Sequence, residues 1–165
     1  MGWLLALVFV NIGSSGVIET FEETLEATIA LAFFIPLLID SGGNAGSQAA
    51  TLVVRALGTG DVRPGDWVRV LWKELRIGIA LGFSMAFAAA LLGYWRADLD
   101  LALVVFTTMV GIIVLANLVG ALLPAVLSRL RIDPAVASSP LITTVMDISG
   151  LLIYFSIAAA FLTVE

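Results

Sequence analysis

Neither cysteine nor histidine occurs in this chain. Their absence excludes disulfides, thiol chemistry, soft-metal sites and imidazole acid–base catalysis. Any metal here must be held by oxygen, which favours hard cations such as magnesium or calcium. Charge is also scarce: 13% of residues are charged, against about a quarter in soluble domains. Eight basic and 13 acidic residues give a net charge of −5, the wrong sign for a nucleic-acid partner. Apolar bulk takes the place of charge, at 61% of 165 residues and a mean hydropathy of +1.10. A chain of this composition is built for a lipid bilayer.

Five apolar runs stand near or above the ~20 residues of a membrane-spanning helix. They cover about 3–19, 27–57, 77–95, 99–127 and 135–163. The expected fold is an all-α membrane protein, a bundle of five transmembrane helices forming one pore domain over residues 1–165. The second, fourth and fifth runs exceed the minimum, so tilt, kinks or projection beyond the bilayer are expected. Strands are excluded because the runs are long and lack period-two alternation. The first run has no basic residue ahead of it and no small-residue cleavage site, so no cleavable signal peptide is expected.

The basic residues set the orientation. Arg55, Arg63, Arg69, Lys73 and Arg76 fall between the second and third runs, and Arg129 and Arg131 between the fourth and fifth. Only Arg96 falls in an opposite loop. Five spans put the two basic loops on one side, the cytoplasmic one by the positive-inside rule. The chain is thus expected to sit in the plasma membrane with a cytoplasmic N-terminus and an external C-terminus. Glu19, Glu22, Glu23 and Glu26 follow the first run with no base among them, as an outer loop allows.

Within the basic loop, Val68, Leu71, Trp72 and Leu75 recur at i, i+3, i+4, i+7, and Asp66 stands where an N-cap belongs. A short separate helix lying in the membrane interface is predicted there, as a surface anchor or a gating lever. Three pairs of small residues four apart, Gly42/Gly46, Gly78/Gly82 and Ala116/Gly120, predict close helix approaches.

The most informative residues are polar ones inside apolar runs, since a carboxylate at mid-membrane costs about 2.5–3.5 kcal/mol on insertion scales. Asp40, Asn44, Ser47 and Thr51 share one helical face, with Gln48 beside them. Thr143, Asp147, Gly150 and Tyr154 repeat that spacing in the last run, and Pro140 is expected to kink that helix. Gly42, Gly43 and Gly46 are expected to bare backbone carbonyls. Two such stripes, facing one another, would make an aqueous cation path. Asn44 and Gln48 read equally as hydrogen-bonding glue between helices, and Asn117 reads better as glue. Asp40 is a mouth residue or a structural one. Asp147 is different, because no span carries Lys or Arg in its hydrophobic part. It must be protonated, wet, or bound to a cation, and cation binding is the favoured reading. One carboxylate per chain on a wet path suits Mg²⁺, which keeps several waters, better than Ca²⁺ with its six to eight oxygen ligands. A two-fold dimer would bring two Asp147 side chains to a shared axis.

The stretches PLLIDSGGNAGSQAATLVVRALGTGDV and DPAVASSPLITTVMDISGLLIYF resemble the transmembrane domain of the MgtE family of magnesium channels. The likeness covers essentially the whole chain, including the five-span plan. It implies a homodimer in the lipid bilayer that admits Mg²⁺ to the cytoplasm, the ion being both permeant and bound. It also implies that Asp147 is the main ion-site acid, with Gly43, Ser47, Thr51, Thr143 and Gly150 lining the path. Some family members carry asparagine where this chain has Ser47, so site geometry differs there. The family's cytoplasmic Mg²⁺-sensing N and CBS domains are absent from this chain, which is expected to be either a trimmed pore or a naturally pore-only relative.

Three other classes compete. A carrier coupled to Na⁺ or H⁺ shares these features and differs in needing an opposing gradient. An intramembrane aspartyl enzyme using Asp40 and Asp147 lacks the GxGD context, so no enzymatic activity is expected. A membrane scaffold would use the same polar residues as glue alone.

Overall fold

A computed structural model describes residues 2–63, 65–133 and 139–162. Helices are the regular elements of the described residues, joined by short turns, with no strand among them. Helix α1 covers Gly2–Thr20 and a short α2 covers Glu22–Ala27. A 3-10 segment, Ile29–Phe33, leads into α3 at Phe34–Thr59. Three long helices follow: α4 (Trp67–Arg96), α5 (Leu99–Arg129) and α6 (Ser139–Phe161).

Among the described residues, four segments are long and apolar enough to cross a membrane: Ile29–Thr59, Trp67–Arg96, Leu99–Arg129 and Ser139–Phe161. They match the second to fifth predicted runs. Helix α1 is apolar too, but Leu7–Thr20 is the shorter helix by that measure.

The helix ends follow local chemistry. Helix α3 stops at Gly60, which takes a left-handed φ of 78° and donates its N–H to the Leu57 carbonyl; glycine adopts this geometry without a Cβ penalty. Helix α5 starts at Asp98, whose carboxylate accepts the Leu101 N–H at 2.9 Å. At the N-cap of α4, the Asp66 carboxylate instead accepts from the N–H of Arg63.

One local expectation is corrected. The separate interfacial helix does not form, because α4 runs unbroken from Trp67 to Arg96. No glycine or proline lies between Trp67 and Gly78 to end its hydrogen-bond ladder. At 30 residues α4 is about 45 Å long, more than the ~30 Å hydrocarbon core, so its charged beginning projects beyond the apolar part. The predicted start of the last span at 134–138 lies outside the described residues, and Pro140 stands in the first turn of α6 as described.

Helix α5 is central, with α3, α4 and α6 packed against it. Val104, Val105, Ile112, Ile113 and Ala116 on it are fully buried. Small residues set these contacts, as the sequence predicts. A Cβ on Gly78 would lie 3.1 Å from the Val114 backbone, and one on Gly82 would lie 3.3 Å from that of Val110. On the other flank a Cβ on Gly120 would collide with the Gly46 carbonyl oxygen. Without a hydrophobic drive between helices in lipid, such close van der Waals packing carries the association. Asn117 is buried, and its amide donates to the Ile113 carbonyl at 2.9 Å, a bond within α5 rather than between helices. Helix α1 rests on α6. The Arg96 guanidinium lies 4.0 Å from the Phe33 ring centroid, joining the end of α4 to the 3-10 segment.

Candidate ion site at the seam of α3 and α6

Helix α3 has two unlike faces. Gly42, Gly43, Ala45, Gly46, Ala49, Ala50 and Val53 are buried against the bundle. Asp40, Asn44, Gln48 and Thr51 are exposed on the other side, and Ser47 is half-buried at the boundary. The small face pulls α3 inward, and the polar face is left open as a consequence.

Helices α3 and α6 run antiparallel in a register that glycine contacts fix. A Cβ on Gly43 would stand 2.9 Å from Thr143 Cγ2, one on Gly46 2.8 Å from Ile142 Cγ2, and one on Gly150 2.8 Å from Ile39 Cδ1. The Ser139 hydroxyl donates to the Ser47 hydroxyl at 2.9 Å and closes the same seam nearer its end. This register sets Asp40 opposite Asp147. Both carboxylates thus stand at one level of the helix pair, where like charges repel. Asp147 and Thr143 are half-buried, set back from the open face of α3.

Hydroxyls along the seam are satisfied locally. Thr51 donates to the Ser47 carbonyl at 2.8 Å, and Thr143 and Thr144 donate to the Pro140 carbonyl at 3.1 and 2.9 Å. Their oxygens keep lone pairs for another partner. Asn44 and Gln48 make no side-chain hydrogen bond among the described residues, so they do not glue helices within this chain. With Ser47, Thr51, Leu52 and Ser139 they border an open recess of about 410 Å³.

The structure thus brings together Asp40, Asn44, Ser47, Gln48, Thr51, Thr143 and Asp147 along one seam. Gly43 and Gly150 lie at its base, buried where the helices touch. Tyr154 departs from the predicted stripe: it is fully buried, and its hydroxyl donates to the Leu31 carbonyl at 2.9 Å. Ser139 was missed by the sequence reading, although 139, 143 and 147 share one face at steps of four. Among the described residues no cluster of three or more acidic side chains could grip a metal. The seam offers two carboxylates amid amides and hydroxyls, donors that suit an oxygen-preferring ion keeping some of its water.

Long apolar helices packed through small residues, with an acidic polar seam along one pair, define a polytopic helical membrane protein. Residues 35–157 match the family model of MgtE, described as a divalent cation transporter. The chain belongs to the MgtE family. It is 46% identical over 156 residues to the magnesium transporter MgtE of Thermus thermophilus, covering 94% of this chain and 35% of that protein. The Bacillus subtilis magnesium transporter MgtE is 36% identical over 161 residues, covering 97% of this chain and 36% of that protein. The Enterococcus faecalis protein of the same name is 35% identical with the same coverage. This chain therefore spans about a third of the length of these relatives.

Proposed function

We propose that this chain is the pore of a Mg²⁺ channel, with Asp147 as the main ion-site acid. The observation that carries this reading is the seam itself, where Asp40 and Asp147 face each other across antiparallel helices beside an open row of amides and hydroxyls. Two carboxylates that repel when the site is empty gain most from a divalent ion between or beside them. Hydrated Mg²⁺ sheds water reluctantly, so a site of few carboxylates and many neutral oxygens suits it better than a tight cage. Ser47, Thr51 and Thr143 supply hydroxyl oxygen to the ion's water shell, and Asn44 and Gln48 supply amide oxygen. Gly43 and Gly150 hold the helices close at the base.

The open polar face of α3 needs a cover within the bilayer, and a second copy related by a two-fold axis supplies it. In this dimer the two seams flank one central path. The basic loops support a five-span topology with a cytoplasmic N-terminus, and the electrochemical gradient, inward for a divalent cation at a negative-inside membrane, sets the direction of flow. The names of the relatives, all magnesium transporters, support the choice of ion.

The test is reconstitution of the chain into vesicles with a Mg²⁺ gradient and no other. A channel gives uptake that saturates with external Mg²⁺ and unitary currents in planar bilayers. Flux that appears only with an opposing Na⁺ or H⁺ gradient, without unitary currents, identifies a carrier instead.

A further inference from the structure

The beginning of α4 has no part in the seam, yet it carries an organised surface. Arg69, Trp72, Lys73 and Arg76 recur at i, i+3, i+4 and i+7, and all four are exposed. Trp72 is 56% exposed, and the Arg76 guanidinium lies 5.3 Å from its ring centroid. Glu74, the one acid in residues 67–76, is turned inward and 2% exposed. Its carboxylate lies 3.8 Å from the Lys73 ammonium. Asp61 and Asp66 line a recess with Glu74 between α3 and α4, and Arg69 and Lys73 form part of its wall. The outward stripe itself, Arg69, Trp72, Lys73 and Arg76, contains no acid.

The same face of α4 continues into Ile79, Phe83 and Phe87, exposed by 42%, 52% and 69%. A patch of cations and tryptophan therefore caps an apolar strip along one continuous helix. We propose that this face binds an anionic phospholipid of the surrounding bilayer, its phosphate on Arg69, Lys73 and Arg76 and its acyl chains along Ile79, Phe83 and Phe87. Guanidinium forks match phosphate oxygens in a bidentate manner. Tryptophan settles at the headgroup level, and basic residues flanking a span are drawn to anionic lipid. An acidic protein surface would use the cations alone; an amphiphile uses both halves of the strip.

The experiment places the chain in phosphatidylcholine vesicles at low salt, with a chelator so that no divalent ion bridges protein and lipid. Electron spin resonance of spin-labelled lipids then reads the association of phosphatidylglycerol relative to phosphatidylcholine. Wild type prefers phosphatidylglycerol, by about fivefold for each cation fully engaged. The R69Q/K73Q/R76Q variant returns to parity, R69K/R76K keeps the preference, and R129Q/R131Q leaves it unchanged. Should the triple variant fail to insert, a salt titration of wild type decides: the preference fades as salt rises. Wild type without any preference, a triple variant that retains it, or a preference indifferent to salt each overturns the proposal.

Discussion

A methyl group placed on Gly43 would stand 2.9 Å from the Cγ2 of Thr143, so α3 and α6 meet through a glycine at the level of the acidic seam. About two turns further along α6, Gly150 meets Ile39 of α3 in the same way. The approach that brings Asp40 opposite Asp147 therefore depends on missing side chains as much as on polar ones.

Packing glycines should be intolerant of a single carbon. Gly120→Ala puts a Cβ against the Gly46 carbonyl oxygen, a backbone atom that cannot rotate away. It is expected to destabilise by about 1–3 kcal/mol, seen as a lower unfolding temperature in detergent. Gly16→Ala, where a Cβ would meet nothing within 4 Å, is expected to be neutral or stabilising. Equal effects from the two would contradict the packing account.

Tyr154→Phe removes one buried hydrogen bond, the one to the Leu31 carbonyl. A loss of about 1 kcal/mol is expected, with ion transport unchanged, because the hydroxyl faces the 3-10 segment and not the seam. Transport loss with unaltered stability would return Tyr154 to the polar path.

The Ser47–Ser139 hydrogen bond couples α3 to α6. In a double-mutant cycle on thermal stability, Ser47→Ala and Ser139→Ala should be non-additive by about 0.5–1.5 kcal/mol. Strict additivity would mean that the two hydroxyls do not bond in the membrane.

Much of this was legible in the sequence, because the span assignments rest on apolar length and the small-residue pairs on spacing. The uninterrupted α4 was not. Residues 67–76 are amphipathic and charged, so hydropathy falls there while the backbone ladder continues. The facing of Asp40 and Asp147 needs an antiparallel register, which spacing within either helix cannot supply. Tyr154 has the same cause: its step from Asp147 fits the stripe, but the 3-10 segment that buries it belongs to a distant part of the chain. Asn44 and Gln48 read equally as glue and as lining in the sequence, because spacing within one helix does not say which face packs; in the fold both are exposed.

The central claim is that Asp147 holds the permeant ion. Mg²⁺ uptake into vesicles bearing Asp147→Ala, compared with wild type at matched protein content and fold, tests it most directly. The account predicts that uptake collapses in this variant, and falls less in Asp40→Ala. Wild-type uptake through Asp147→Ala would contradict it.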